Sequence, residues 1–380
     1  MARIHLSEPA FRGNEDAYVR EAVASSFVAG GPFLGRFEAA FANRVDAPYA
    51  VACASGTAAI HLALVALGVR PGDEVWVSDL TFVASANPAR YCGARVTLVD
   101  SEPESWNLDP YVVAEELDRR AACGEAQPAA IVAVHLLGHP ARLDVLLVAA
   151  AEHGVPVVED AAESLGATWT GGPLAGREVG TVGTIGCFSF NGNKLVTSGG
   201  GGMLVTANEA LAAHARHLST QAKLPGVGYA HDEIGFNYRL SNLSAALGLA
   251  QFEQVDAFLA RRREIADRYD AAFSRVPGLA AAPDRPWARR SGWLSSVVCA
   301  DPTVRERIRL ALEAGDVEAR PVWAPLRHQA PYRGAPVLGG DVAVQLGDRV
   351  LNLPSSVTLT DEQQQRVIDV VLRAASTAAA

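Results

Sequence analysis

The sequence predicts an α/β fold in which a large, mostly parallel sheet is covered by helices on both faces. Short apolar runs alternate with amphipathic segments as far as residue 274. The apolar runs are nearly continuous, as expected for strands that are buried on both faces of a parallel sheet. The pattern then changes, which predicts a large domain at 1–274 and a smaller C-terminal α/β domain at 275–380.

The N-terminal elements are predicted by their boundary residues. Asn14 can cap a first helix that extends to about Phe27. Two glycines and a proline at 30–32 interrupt the chain before a second amphipathic helix at 34–44. The apolar run Tyr49–Ala54 then predicts the first buried strand.

The remaining elements follow the same alternation. Further strands are predicted at Glu74–Ser78, Arg95–Val99, Ala130–Val134, Val155–Val158, Ile185–Phe190 and Gly202–Val205. Helices are predicted at 58–67, 83–92, 109–122, 143–153, 303–314 and 361–374, together with one long helix from Leu243 to Ser274. In open α/β sheets, ligands bind at the carboxyl ends of the strands, so the residues after each strand are the candidates for a site.

Charge and composition exclude several classes of protein. The net charge of −9, without any block of like charges, argues against nucleic acid or an anionic membrane as a partner. We find neither a long apolar stretch nor a signal-peptide pattern, so we expect a cytoplasmic protein without a membrane span. Scattered cysteines without a CxxC pair indicate reduced thiols (Cys53, Cys92, Cys123, Cys187 and Cys299).

No metal site is predicted. The acidic residues and histidines in the middle of the chain show no HExxH motif or other recognised metal-ligand spacing (His135, His139, Asp144, Glu159 and Asp160).

Lys194 is the first candidate for chemistry. Only two of the 33 basic residues are lysines, Lys194 and Lys223. Lys194 lies on a polar, glycine-rich loop between apolar strands, where a primary amine is well placed to form a Schiff base. The alternative is a surface lysine on a flexible loop. Lys223 lies in the loop 221–233, where we expect it to be solvated or to contact a substrate more weakly.

Two carboxylates follow a later apolar strand. Asp160 stands at the end of that strand, where an acid commonly caps a helix. In a pyridoxal phosphate (PLP) site, a carboxylate in this position keeps the pyridine nitrogen protonated, so that the ring accepts electrons. Glu163, one helical turn later, is within reach of the phenolic oxygen of such a cofactor.

Two further strand ends carry candidate binding residues. Gly56 and Thr57 stand where a strand meets a helix, a place that suits a phosphate, although the same pattern can serve only as a cap. Ser189, five residues before Lys194, can add a hydroxyl to the same phosphate. Phe82 either packs in the core or stacks on a flat ring.

The chain resembles the DegT/DnrJ/EryC1/StrS group of PLP-dependent sugar aminotransferases, which have the type I aminotransferase fold. The motifs that carry the resemblance extend nearly from end to end: GPFLGRFE, ASGTAAIHLAL, PGDEVWVSDLTFVASANP, VEDAAESLGA, FSFNGNKLVTSGGGGML, GFNYRLSNLSAALGLAQ, ARPVWAPL and NLPSS. Within the group, FNGNK and DAAESLGA are most similar to enzymes that aminate C4 of nucleotide-linked 4-keto-6-deoxysugars.

The resemblance implies a role for each matching residue. Lys194 matches the Schiff-base lysine, and Asp160 matches the partner of the pyridine nitrogen. Glu163 stands where many members have Gln or His, although the C4 subgroup often has Glu. The other matches are Gly56, Thr57 and Ser189 at the phosphate, Phe82 over the ring, and Asn237, which reaches the phosphate from the other subunit of a homodimer.

The resemblance also implies a reaction, in which an amino group passes from L-glutamate, the expected donor, to the C4 ketone of a nucleotide-linked 4-keto-6-deoxysugar. Its substrate contacts are expected among Lys223, Arg239, Arg320 and Trp323. Alternatives of the same fold are amination of a 3-keto sugar or of a cyclitol ketone. A more distant alternative is a non-catalytic protein that binds PLP or a nucleotide sugar. Relatives that remove a hydroxyl group carry His at the position of Lys194, so that reaction is not expected.

Overall fold

A computed structural model describes residues 3–226 and 228–376. Its strands are β1 (Tyr49–Cys53), β2 (Glu74–Ser78), β3 (Arg95–Val99), β4 (Ala130–Val134), β5 (Val157–Asp160), β6 (Thr168–Trp169), β7 (Ile185–Ser189), β8 (Gly202–Thr206), β9 (Leu279–Ala281), β10 (Ala288–Arg289), β11 (Ser295–Cys299), β12 (Arg320–Pro321), β13 (Val337–Leu338) and β14 (Val350–Leu353).

The helices are α1 (Glu15–Ala24), α2 (Pro32–Val45), α3 (Gly56–Ala66), α4 (Asn87–Tyr91), α5 (Pro110–Cys123), α6 (Leu143–Glu152), α7 (Glu209–Ser219), α8 (Asn242–Phe252), α9 (Val255–Phe273), α10 (Pro302–Ala314), α11 (Val342–Arg349) and α12 (Asp361–Ser376). Short 3₁₀ segments occur at Val83–Ser85, Leu136–Gly138, Leu326–His328 and Ala330–Tyr332. None of the described helices is both long enough and apolar enough to cross a membrane.

The large sheet has the strand order β1-β8-β7-β5-β4-β2-β3-β13. The pairs from β7 through β5, β4, β2 and β3 to β13 are all parallel. Strand β8 lies between β1 and β7 and is antiparallel to both. The predicted fold class, an α/β protein with a large and mostly parallel sheet, is therefore confirmed.

Alternate residues of the sheet pack into two different apolar cores. Trp76 and Ile131 belong to a core that includes side chains of α2, α5, α6 and α8. Val75 and Val132, their neighbours in sequence, belong to a core that includes side chains of α3 and α7. Because side chains alternate between the faces of a strand, the two cores lie on opposite faces of the sheet. This double burial explains why these strands are almost entirely apolar.

A second, antiparallel sheet of order β12-β14-β11-β9 forms in the C-terminal part of the chain. Its apolar core also takes up Ile4 and side chains of α9. Strand β13 leaves this region and pairs with β3 of the large sheet, where Val337 lies opposite Leu98. The division at residue 274 stays a prediction. Ile4 in the C-terminal core and β13 in the large sheet both connect the parts on either side of that residue.

The predicted helix from Leu243 to Ser274 is wrong in one respect, because the chain forms two helices there. The helix α8 ends at Phe252, and Gln254 has non-helical backbone angles (φ −104°, ψ 3°). The Gln254 amide donates to Glu15 Oε1 over 2.8 Å. This contact with the N-terminal segment is long-range, so local helix propensity does not reveal it.

The predicted helix at 83–92 is also wrong, since it divides into a 3₁₀ turn and the short helix α4. Pro88 lies in the first turn of α4, where its missing backbone N–H needs no helical acceptor, so a new helix begins there and a continuous helix through it is not formed. The strand predicted at Val155–Val158 lies two residues later, at Val157–Asp160, which makes Asp160 the last residue of the strand.

Candidate active site

A cavity of about 500 Å³ opens at the carboxyl edge of the large sheet. Residues after β1, β2, β5 and β7 line it on one side, and residues from the C-terminal region line it on the other. Nine of the residues that the sequence singled out surround it: Gly56, Thr57, Phe82, Asp160, Glu163, Ser189, Lys194, Arg320 and Trp323. The parallel strands explain this convergence, because their carboxyl ends meet at one edge.

The Lys194 amine points into the cavity between a carboxylate and an aromatic ring. Its Nζ lies 3.6 Å from Glu163 Oε1 and 3.8 Å from the centroid of the Trp293 ring. Burial lowers the pKa of Lys194, although the negative charges of Glu163 and Asp160 oppose this effect. A larger fraction of the amine is therefore neutral near pH 7 than for an exposed lysine, as a nucleophile requires.

Glu163 is held on its other side by the backbone. Its Oε2 accepts a hydrogen bond of 2.8 Å from the N–H of Leu137, a residue with a left-handed backbone (φ 53°). Burial raises the pKa of Glu163 to about 7, while Lys194 and the Leu137 N–H act in the opposite direction. Near neutral pH this carboxyl group can therefore both hold and release a proton.

Asp160 accepts hydrogen bonds on both carboxylate oxygens. The Ser85 hydroxyl donates to Oδ2 over 2.7 Å, and the Ala162 N–H donates to Oδ1 over 3.1 Å. The Ser85 hydroxyl is also 2.7 Å from the hydroxyl of Thr81. These contacts fix the carboxylate at the wall of the cavity, within the same space as Lys194.

The first turn of α3 forms a recess that suits an anion. Ser55 caps the helix by accepting from the Ala58 N–H over 3.0 Å. The N–H groups of Gly56 and Thr57 lie in the first turn, where no intrahelical acceptor exists and the helix dipole is positive. A Cβ atom at Gly56 would lie 2.9 Å from the Ser189 Cβ, so only glycine fits between the helix and that serine.

Three aromatic rings line the wall of the cavity. The Phe82 side chain is 52% exposed, so it is not part of the core. Its ring centroid lies 6.4 Å from that of Trp323, which in turn stacks on Trp293 at 6.2 Å with an interplanar angle of 9°. This arrangement offers flat apolar surfaces to a ring-shaped ligand.

Three of the predicted residues do not line the cavity within the described part of this single chain: Lys223, Asn237 and Arg239. Lys223 lies over the exposed ring of Tyr229, 4.7 Å from its centroid. Arg239 donates to the buried Glu38 carboxylate over 2.5 Å and to the Ala52 carbonyl over 2.9 Å. Asn237 is exposed and forms a backbone bridge with Thr220.

The comparisons with known proteins decide the family. The DegT/DnrJ/EryC1/StrS aminotransferase family matches residues 9–372. The chain belongs to this family. It is 41% identical over 375 residues to EpsN of Bacillus subtilis (strain 168), which covers 97% of this chain and 95% of that protein. It is 38% identical to the GDP-perosamine synthase of Caulobacter vibrioides, with 97% of both chains covered. The structure of DesV from S. venezuelae, 31% identical, superposes with a TM-score of 0.86 and covers 96% of this chain and 94% of that chain.

The aminotransferase is thus a PLP-dependent enzyme of the sugar aminotransferase family, as the sequence predicted. The residues present fit the cofactor. A half-buried primary amine, a fixed carboxylate and an exposed aromatic ring share one cavity with the unpaired start of α3. The close approach of Gly56 to Ser189 excludes a side chain at residue 56 and keeps the Ser189 hydroxyl beside the start of α3.

Some residues of the aminotransferase site were not found from the sequence. Trp293 contacts Lys194 but is far from it in sequence and carries no local signal. Ser85 lies only three residues after Phe82, in the segment that follows β2, and its position after a strand is the signal that could have found it. The N–H of Leu137 is a backbone group that no side-chain pattern reveals.

One group of side chains outside the cavity has the composition of a metal site. The ligand atoms of His217, Asp232 and Glu233 lie within 4.8 Å of one another on the surface of the aminotransferase. A hydrogen bond of 2.6 Å between His217 Nε2 and Asp232 Oδ1 is sufficient to explain this proximity. The expectation that the protein has no metal site stays a prediction.

Proposed function

We propose that this aminotransferase moves an amino group from L-glutamate to the C4 ketone of a nucleotide-linked 4-keto-6-deoxysugar. The observation that carries the proposal is the Lys194 amine, which lies in one cavity with Asp160, Glu163 and the start of α3. The similarity to a GDP-perosamine synthase over 97% of both chains supports a nucleotide-linked sugar as the acceptor. The C4 position is inferred from the motifs FNGNK and DAAESLGA, and L-glutamate from the reaction that the family resemblance implies.

Lys194 is the proposed acid–base group. PLP, when bound, supplies an electron sink that stabilises negative charge on the carbon that loses a proton. The lowered pKa of Lys194 leaves a neutral amine available to take the proton from Cα of the amino donor. The same Nζ would hold that proton and return it to the reacting centre, and it would do the same in the opposite direction with the sugar ketone as amino acceptor.

The two carboxylates have different proposed roles, because their surroundings differ. Asp160, fixed by Ser85 and the Ala162 N–H, is the carboxylate that would keep the pyridine nitrogen of the bound cofactor protonated. Glu163, with a pKa raised to about 7, could share a proton with the phenolic oxygen of the bound cofactor. The Glu163 carboxylate also keeps the Lys194 amine directed into the cavity.

The cofactor is proposed to bind through backbone groups and one ring. The N–H groups of Gly56 and Thr57 and the Ser189 hydroxyl bind its phosphate. Phe82 stacks on the pyridine ring. Asn237, exposed on its own chain, reaches the phosphate in the partner's cavity, so the active unit is a homodimer with shared sites.

The proposed substrate contacts fall into two groups. Arg320 and Trp323 line the cavity of their own chain, where Arg320 also pairs with Glu318. Lys223 and Arg239 lie in the same part of the chain as Asn237, and we propose that they act in the partner's cavity. Cations at these places would bind the diphosphate of a nucleotide sugar even though the protein is acidic overall.

The test is a half-reaction that can be followed by absorbance. The PLP-loaded protein is first converted to its pyridoxamine phosphate form with L-glutamate, and the excess donor is removed. UDP-, dTDP- and GDP-linked 4-keto-6-deoxysugars are then added separately. Return of the yellow absorption with one of them identifies the substrate class. Bleaching by glutamate without any return contradicts the proposed acceptor and directs the test to 3-keto sugars and cyclitol ketones. Failure of glutamate to bleach the protein contradicts the proposed donor.

A further inference from the structure

The Trp293 side chain makes two contacts with the segment that carries Lys194. The face of its ring lies under the amine, with 3.8 Å between Nζ and the ring centroid. Its indole N–H donates to the carbonyl oxygen of Asn193, the residue before Lys194, over 2.8 Å. The same ring therefore touches the reacting atom and holds the peptide that directs it.

The carbonyl of Asn193 is held from a second direction. The Ser7 hydroxyl donates to it over 2.8 Å, so this one oxygen accepts two hydrogen bonds. Ser7 belongs to the N-terminal segment, whereas Trp293 lies two residues before the start of β11. Two segments that are distant in sequence thus both hold the residue next to Lys194. The position of this residue therefore depends on tertiary contacts as well as on the local loop.

A buried cation fixes Trp293 from behind. Arg262 is only 1% exposed, and it donates to the Trp293 carbonyl over 2.7 Å and to the Ser7 hydroxyl over 3.1 Å. Both of these acceptors are neutral oxygens, and the Arg262 Nε has no hydrogen-bond partner among the described residues. Burying a guanidinium without a carboxylate partner costs free energy of folding. The presence of Arg262 here therefore indicates that the positions of Trp293 and Ser7 matter for more than stability.

We propose that Trp293 is a further catalytic residue, whose ring face holds the Lys194 amine after it has left the cofactor and taken up a proton. Arg262 and Ser7 are the positioning residues that keep the ring and the Asn193 carbonyl in place. The inference rests on the proposed function only in taking Lys194 as the lysine that binds PLP.

The physical basis is the attraction between a cation and the negative face of an aromatic ring, which is strongest for tryptophan. Among the described residues, the charged groups that face Lys194 are Glu163 and Asp160. Asp160 is the last residue of β5, and Glu163 lies three residues beyond it. Neither carboxylate belongs to the segment that carries Trp293. A change at residue 293 therefore tests the ring separately from these carboxylates.

The small number of lysines permits a direct measurement. In the cofactor-free full-length chain, Lys194 and the exposed Lys223 are the only side-chain primary amines. Both are modified with trinitrobenzenesulfonate between pH 6 and 10, and peptide mass spectrometry follows the rate at each. The pH dependence of the rate gives the pKa of Lys194, while Lys223 serves as an internal reference for reagent and folding.

The decisive comparison is Trp293→Phe against Trp293→Leu, because both remove the indole N–H and only one keeps an aromatic face. We expect the pKa of Lys194 in the Leu variant to be lower than in the Phe variant by about half a unit to one and a half units. The Phe variant should lie close to the wild-type protein. Equal values in the two variants, or a higher value with Leu, would overturn the proposal. If the Leu variant does not fold, Trp293→Met takes its place.

A protection experiment separates this inference from the proposed function. Saturating PLP should block modification of Lys194 in the wild-type protein and leave Lys223 reactive. If PLP does not protect Lys194, the assignment of the cofactor lysine fails. The difference in the pKa of Lys194 between the Phe and Leu variants is measured without PLP. It therefore tests the role of Trp293 independently of the assignment of the cofactor lysine.

Discussion

The Ser85 hydroxyl donates a hydrogen bond of 2.7 Å to Oδ2 of Asp160 and so links the segment after β2 to the last residue of β5. Asp160 is buried, and a buried carboxylate that loses a donor is destabilised. We expect Ser85→Ala to lower the free energy of unfolding of the cofactor-free protein by about 1–3 kcal/mol, as measured by urea denaturation. Thr81→Val is the control, because it removes a hydroxyl from the same chain of contacts but keeps the bond to Asp160. An equal loss of stability in both variants would contradict this account.

Lys194→Ala should abolish transamination and leave the fold intact. Loss of a proton-transfer group costs about 10²–10⁴-fold in rate, and loss of the cofactor lysine adds to this cost. The rate of 2-oxoglutarate formation from L-glutamate measures the effect, and circular dichroism reports the fold. Lys223→Ala removes the other lysine and should retain this half-reaction. Transamination that persists in the Lys194 variant would refute the assignment.

The raised pKa of Glu163 predicts that the stability of the fold depends on pH. Its pKa in the folded state is raised to about 7, so the folded state binds the proton more tightly than the unfolded chain does. The stabilisation is complete below the unfolded pKa of about 4.3 and is lost as the pH rises toward 7. Glu163→Gln removes this titration, and its amide oxygen can still accept from the Leu137 N–H. The difference in unfolding free energy between the wild-type and Gln proteins should therefore change by an amount on the order of a few kcal/mol between pH 4.5 and pH 7.5. A pH-independent difference would show that Glu163 does not titrate in this range.

Gly56→Ala should weaken PLP binding. The added methyl group would lie 2.9 Å from the Ser189 Cβ, so the start of α3 or the serine must move. A strain of about 1–3 kcal/mol corresponds to a loss of about 5- to 150-fold in affinity if it falls on the bound state. Absorbance titration with PLP measures the dissociation constant. Gly35→Ala in α2 is a matched control, since a Cβ there meets no atom within 4 Å, and its affinity should not change.

Asn237 provides a test of shared active sites. If Asn237 acts in the partner's cavity, a mixed dimer of Lys194→Ala and Asn237→Ala chains contains one site with both changes and one site with neither. Mixing the two impaired proteins under conditions of subunit exchange should then restore up to half of the wild-type activity per mixed dimer. If both residues served the same site of one chain, each site would carry one change and no activity would return.

Much of the fold could be predicted because it depends on local patterns. The strands Glu74–Ser78, Arg95–Val99 and Ala130–Val134 have the predicted bounds, since continuous apolar runs are required where both faces of a sheet are covered. The break at Gln254 could not be predicted, because it is accompanied by a contact with Glu15 at the other end of the chain. Helix propensity on both sides of that break favours a continuous helix.

The residues of the site also divide into those that the sequence predicts and those that depend on tertiary contacts. Gly56 and Lys194 lie beyond the ends of strands and Asp160 is the last residue of one, and the topology of a parallel sheet brings such positions together. Trp293 follows no comparable rule, since its contact with Lys194 depends on how the C-terminal region packs on the large sheet. The placement of Lys223 and Arg239 outside the cavity also depends on tertiary contacts, in the case of Arg239 on the ion pair with Glu38.

The short strand β13 covers the outer edge of β3, where the N–H of Leu98 donates to the Pro336 carbonyl and the N–H of Asp100 donates to the Leu338 carbonyl. An apolar strand with unpaired backbone groups is a template for pairing with other chains. A protein shortened before residue 336 would expose that template along its largest sheet. Its expected fate is aggregation through β3, so the C-terminal region protects solubility as well as lining the cavity.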